Sequence, residues 1–233
     1  MRLAEKPLCI IPARGGSKRI PRKNIRPFRG KPMLAWPLQT ALKSGLFGTV
    51  MVSTDDEEIA ATARDLGAEV PFLRSAQTAS DHATTADVLR EVIERYAQDG
   101  LQFDLACNLY PTAPLATAAD LRAGLGLMET GGFDAVLAVA AFSFPILRSL
   151  SRDRDGRVRL NFPEHRDTRS QDLATAYHDA GQWCWFRVDA FLASGALLGD
   201  NTGSVSLPPD RVQDIDTEDD WAMATLKHEQ LAP

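Results

Sequence analysis

Short apolar runs alternate with longer stretches of helical periodicity through roughly the first 140 residues, the pattern of parallel strands joined by crossover helices. Strands are expected at Leu8–Pro12, Val50–Ser53, Phe103–Leu109 and Ala135–Val139, and helices at Met33–Lys43, Glu57–Leu66, Thr85–Gln98 and Ala119–Glu129. Local chemistry supports several boundaries. Thr84 with Asp87 reads as a capping box, Asp55 and Asp56 are cap candidates for the second helix, and Gly45 and Gly67 fall where helices stop. The expected class is therefore a layered α/β sheet, in which ligands bind beyond the carboxyl ends of the strands.

The rhythm changes after Phe142. Arg148–Asp172 is rich in Arg and Asp with a brief apolar interruption at Val158–Phe162, an excursion spanning about 143–175. It reads either as a solvated hairpin or as an arm used in dimerisation. The chain then returns through Gln182–Phe186, a short segment at Val188–Ser194, a strand near Val205 and an extended stretch at Val212–Ile215. A last helix, Glu218–Glu229, follows Thr217. No internal repeat or low-complexity tract interrupts this order, so residues 1–233 read as one domain.

Composition narrows the function. The 233 residues are 44% hydrophobic, enough for one large core, and the net charge of -5 argues against a general nucleic-acid or anionic-membrane binder. Any anion site must be local. Cys9, Cys107 and Cys184 are odd in number and set in apolar surroundings, which suits buried reduced thiols rather than disulfides or zinc. Arg2, Glu5 and Lys6 break the N-terminus and no apolar run is long enough to span a bilayer, so a soluble cytoplasmic protein is expected.

Against that acidic background the stretch CIIPARGGSKRIPRKN, Cys9–Asn24, stands out. Between Arg14 and Lys31 lie eight Lys or Arg residues and no acid. Pro21 prevents a continuous helix, while Gly15 and Gly16 permit tight, positive-φ turns in which backbone N–H groups approach an anion. Following the first strand, such a loop suits a polyphosphate; a solvated basic loop is the competing reading. Neither a P-loop nor a G-x-G-x-x-G fingerprint is present, and hydrolase, zinc-protease and thiol-redox signatures are also absent.

Two further stretches carry chemistry. In VQDIDTEDDW, Glu218, Asp219 and Asp220 belong to the first turn of the last helix, where acids complement the dipole and Thr217 with Asp220 can form a capping box. Asp214 and Asp216 stand two apart on an extended segment, so both carboxylates face one side, as a magnesium site sharing substrate phosphates would require. Solvated acids at a strand end are the alternative. The stretch RSQDLATAYHDAGQWCWF combines aromatics with Gln171, Tyr177, His178, Asp179 and Gln182, a mixture suited to sugar recognition. Core packing competes for Trp183 and Trp185, and strand alternation suggests it for one of them. His82, His165 and His228 have no metal-ligand spacing.

The loop sequence IPARGGSKRIPRKN resembles the nucleotide-binding signature of the CMP-sugar synthetases, the cytidylyltransferases that activate sialic-acid-like sugars. The resemblance continues through GKPMLAWPLQTA, VMVSTDDEEIAATARDLGAEV, ASDHATTADVL and QDIDTEDDW, nearly the whole chain. It implies a Rossmann-like, mostly parallel sheet flanked by helices, CTP as nucleotide donor, a magnesium ion, release of pyrophosphate and a homodimer whose arm reaches the partner's sugar site. By the same resemblance Ala13, Arg14, Gly15, Gly16, Lys23 and Asn24 form the nucleotide loop, with Arg14 and Lys23 on the triphosphate and Lys23 the leading catalytic candidate. Arg74, Ser80 and Asp81 fall around the cytidine, and Asp214 and Asp216 match the metal-binding aspartates. Within the family, TRSQDLATAYHDAGQWCW and LYPTAPLA are more similar to members that activate pseudaminic acid than to neuraminate enzymes. Tyr110 stands where the latter favour Gln. Synthetases for N-acetylneuraminate or legionaminate are the alternatives, and a non-catalytic nucleotide-binding protein is the rival from another class; the pairing of Lys23 with two aspartates speaks against that rival.

Overall fold

The structure, a computed structural model, describes residues 2–231. Its centre is a six-stranded sheet built from β1 (Leu8–Pro12), β2 (Thr49–Ser53), β3 (Leu105–Leu109), β4 (Ala135–Ala141), β5 (Tyr177–Arg187) and β6 (Thr202–Ser206). The order across the sheet is β6-β4-β5-β3-β1-β2. Only β5 runs antiparallel to its neighbours, so the carboxyl ends of the other five strands and the amino end of β5 share one edge. The mostly parallel α/β fold implied by the sequence is the one observed.

The helices are α1 (Ala35–Ser44), α2 (Glu57–Asp65), α3 (Thr85–Gln98), α4 (Ala118–Thr130), α5 (Val188–Ser194) and α6 (Glu218–Leu231). Their starts follow the sequence chemistry. The Asp56 carboxylate accepts from the Ile59 N–H at 3.0 Å, and Thr84 with Asp87 forms the reciprocal capping box. Thr217 and Asp220 form a second one at α6. Gly45 and Gly67, both left-handed, lie at the ends of α1 and α2.

Several boundaries move. The third expected strand starts at Leu105 rather than Phe103, because Leu101–Gln102 pairs separately with Arg2–Leu3. The first helix starts at Ala35 rather than Met33. Val188–Ser194 is helical, and Val212–Ile215 forms no ladder. Trp183 and Trp185 are both buried, correcting the assignment of core packing to one of them. Residues two apart on a strand share a face, and both rings rest against Gly124 of α4, with Trp185 stacked on Phe47. Cys9, Cys107 and Cys184 are free and buried, and burial pushes their thiols up, that of Cys184 to about 12.

A separate small core fixes the basic loop. Ile20, Phe28 and Met33 pack with Ile215 and Ala224, flanked by Trp36 and Trp221. His228, without metal spacing in the sequence, is a packing residue here: its ring meets Trp36 at 4.2 Å and Phe28 at 5.5 Å between centroids. The C-terminal helix thus clamps the loop that follows β1.

The excursion after β4 differs. Leu150–Arg152 and Val158–Leu160 form a two-stranded hairpin, and Leu150, Val158, Phe144 and Ile146 are exposed. No helix among the described residues is long and apolar enough to cross a membrane.

Candidate active site

At the shared strand edge the loop after β1 faces Arg74, the Ser80–Thr85 segment and Tyr110 across a cleft of about 500 Å3. The structure sorts the loop cations. Arg14, Lys18, Arg19 and Lys23 line the cleft. Arg22 instead binds Asp56 and Glu58 of α2, Arg26 binds Glu218 and Arg29 binds Glu229 on α6, so these three fasten the loop rather than face the cleft.

Backbone geometry corrects one expectation. Neither Gly15 nor Gly16 has positive φ; the left-handed residues of this region are Arg22 (φ 54), Arg29 (φ 48) and Gly30. Gly15 is needed for space, because a Cβ there would stand 2.7 Å from the Asp56 carboxylate. Its N–H donates to Asp55 at 2.9 Å. Asn24 is buried and its amide donates to the Arg14 carbonyl at 2.8 Å, which fixes the loop's curvature.

The cleft cations lean on carboxylates. Asp81 accepts from Arg14 at 3.0 Å and from Lys18 at 2.6 Å, and the Lys18 bond before all else holds its carboxyl low. Asp216 pairs with Arg19 at 2.9 Å and Lys23 at 3.4 Å. The Lys23 ammonium also donates to the Ile215 carbonyl at 2.5 Å. Arg74 donates to the side chain and carbonyl of Ser53, and desolvation draws its guanidinium down to about 10, still fully charged at neutral pH. Ser80 lies on the same wall, and Ala13 is buried beneath, its N–H on the Ser53 carbonyl.

Tyr110, just past β3, lines both this cleft and a second cavity of about 350 Å3. Tyr177, His178, Asp179, Leu137, Leu197 and Leu198 also line that cavity, giving it polar and apolar walls. Two expected sugar contacts do not reach it. Gln171 sits on the exposed arm and lines neither space. Gln182 is buried, with its amide donating to the Arg211 carbonyl. The cause is a bulge: the β4–β5 register shifts between Asp179 and Cys184, with Gly181 at φ 62, and this turns Gln182 inward. Leu197 and Leu198 carry no signal in the sequence, since they lie on a short loop after α5 without any motif.

Asp214 approaches Gly181, and a Cβ there would lie 3.7 Å from its carboxyl carbon. Desolvation, then the negative charge of Asp216, pushes the Asp214 carboxyl up, against the opposing pull of Lys23. Such a pair favours a bound cation. Asp216 lines the cleft and Asp214 does not, and among the described residues no group of three or more His, Cys, Asp or Glu is disposed to hold a metal ion. A further depression of about 640 Å3 runs along α3, where Arg95 and Glu91 already pair at 3.2 Å.

Comparisons with known proteins agree with this geometry. Residues 8–187 match the family model described as cytidylyltransferase. The chain is 38% identical over 221 residues to a pseudaminic acid cytidylyltransferase of Campylobacter jejuni, covering 95% of each protein. It is 33% identical to the CMP-N,N'-diacetyllegionaminic acid synthase of Legionella pneumophila, covering 93% of each. In fold it is similar to a CMP:2-keto-3-deoxy-manno-octonic acid synthetase solved with CTP, with a TM-score of 0.70 at 19% identity over 98% of this chain and 100% of that one. A nucleotide-sized basic cleft at the strand edge and a family match across three quarters of its length make one conclusion: this chain belongs to the cytidylyltransferase family.

Proposed function

We propose that the protein transfers CMP from CTP to the anomeric hydroxyl of a nonulosonic acid, pseudaminic acid in particular, and releases pyrophosphate. One observation carries the reading: four loop cations, Arg74 and Asp216 gather in a single cleft that shares the wall residue Tyr110 with a smaller cavity of mixed polarity. The first space suits a nucleoside triphosphate, the second a sugar acid.

In this reading Arg14, Lys18, Arg19 and Lys23 exchange their carboxylate partners for phosphate oxygens. As the anomeric oxygen bonds to the α-phosphorus and the bond to the bridging oxygen breaks, charge grows on phosphate oxygens that fixed cations stabilise. Lys23, held by the Ile215 carbonyl, has its ammonium placed beforehand and needs little reorganisation. Arg74 and Ser80 lie where a base and ribose would follow the phosphates. Asp214 and Asp216 would hold a magnesium ion, which supplies further neutralisation of phosphate charge when bound. The exposed apolar face of the arm is read as a homodimer contact, and the protein as cytoplasmic.

Support for pseudaminic acid comes from the 38% identical relative and from the cavity walls, where Tyr110, Tyr177, Leu197 and Leu198 offer ring and aliphatic surface to a methyl and acylamino groups. A neuraminate pocket must instead satisfy glycerol hydroxyls. The test is a kcat/KM comparison with CTP and pseudaminic, legionaminic, N-acetylneuraminic and KDO acids. Pseudaminate is expected to lead. Preference for neuraminate overturns the sugar assignment, and no pyrophosphate release with any of the four overturns the nonulosonic acid reading.

A further inference from the structure

The segment that carries Asp214 and Asp216 has no regular structure of its own. From Val212 to Asp216 the chain is neither helix nor strand, so the two carboxylates can hold a fixed separation only if other groups hold their backbone. The contacts that do so converge from elsewhere in the fold. Gln182 donates to the Arg211 carbonyl, Arg211 itself binds the buried Asp120 at 2.6 Å, and Lys23 donates to the Ile215 carbonyl.

From α6, Asp220 accepts from the Asp216 N–H and from the Gln213 side-chain amide, both at 3.1 Å, and Lys227 holds the start of the segment. Its ammonium donates to the Pro209 carbonyl at 3.0 Å, the Val212 carbonyl at 2.6 Å and the Gln213 side-chain oxygen at 3.1 Å. A lysine ammonium has three donors, and all three are used on one short segment. The partners are neutral oxygens. Burial, the larger influence, draws the Lys227 ammonium down, and Asp210 only partly offsets it. A desolvated cation without a close carboxylate is costly to keep unless its donors are satisfied, which makes these three bonds more demanding of geometry than an exposed ion pair. Lys227 is itself well placed to act as an anchor, because its neighbour His228 is packed between Trp36 and Phe28 and holds α6 in register with the rest of the site.

We propose that Lys227 is a positioning residue for the reaction: it fixes the Pro209–Gln213 backbone and thereby the spacing of Asp214 and Asp216. It touches no reacting atom. The inference rests on the metal reading of the two aspartates, so its test needs one measurement that does not. Lys227→Met keeps the aliphatic stem and removes every donor. Two quantities are followed in the full-length protein: amide hydrogen exchange at Val212 and Asp216 without ligand, and the magnesium dependence of pyrophosphate release at saturating CTP and sugar acid. Faster exchange at those amides is expected, with a magnesium half-saturation some 10- to 100-fold higher, the usual loss when a group behind a metal ligand is removed. The KM for the sugar acid should stay within about twofold, which separates positioning from general damage. Unchanged exchange overturns the proposal whatever the metal does. If exchange rises while the wild-type enzyme itself needs no magnesium, the hold of Lys227 stands and the metal reading falls. Should Lys227→Met fail to fold, Lys227→Gln, which keeps an amide donor but cannot reach three acceptors, is read by the same two measurements.

Discussion

The basic loop at Arg14–Lys31 and the arm at 143–175 are both irregular, polar and rich in arginine, yet they are held in opposite ways. The loop's fastenings are distant in sequence: Lys23 to Ile215, Arg26 to Glu218, and the Phe28 ring against Trp36, Trp221 and His228. The arm's bonds are local, such as Asp153 with Arg157 and Ser149 with Asn161. Its apolar side chains have no cover, with Phe144 82%, Val158 56% and Leu150 55% exposed. Leu150, Val158 and Leu160 share one face of the hairpin by register. Charge alone therefore does not mark a site. A region whose cations are anchored by the protein's own core can receive an anion in a set geometry, whereas uncovered apolar surface is the kind a protein partner can bury.

Three experiments break or sharpen this contrast. The largest effect is expected at the anchored loop: Lys23→Ala should lower kcat by about 10² to 10³, the usual result of removing one donor to developing charge. Turnover close to wild type would leave Lys23 outside the mechanism and weaken the link between anchoring and chemistry. For the arm, Leu150→Asp with Val158→Asp puts charge on the apolar face. Sedimentation should show dimer giving way to monomer, with CTP binding changed less than about twofold; a wild-type protein already monomeric at micromolar concentration would remove the arm's role.

The smallest effect tests the acid pair within the anchored region. A carboxyl raised above its unfolded value stabilises the fold while protonated, and that contribution is lost as pH rises through the folded value. Ionised Asp214 thus costs stability at neutral pH. Asp214→Asn should raise the ligand-free Tm at pH 7 by on the order of 1 °C and leave it unchanged well below the ordinary aspartate value of 3.8. A lower Tm at pH 7 would show that burial and the charge of Asp216 do not outweigh what the ionised carboxyl gains from Lys23.

Much of this was legible in the sequence where the cause is local. Alternating apolar runs located the strands, Thr84 and Asp87 announced their capping box, and the acid-free run of cations marked the loop that lines the cleft, because each signal resides in neighbouring residues. Tertiary structure decided what depends on distant partners. Only the fold shows that Arg22 and Arg26 fasten the loop while Lys18 and Arg19 line the cleft, since the carboxylates that divide them lie on α2, on α6 and at Asp81 and Asp216. Only the fold turns Gln182 inward, because a bulge breaks the period of two on which strand-face arguments rest. The same holds for Lys227, one of six lysines and part of no motif, whose three bonds exist because α6 packs beside a segment that cannot hold its own shape.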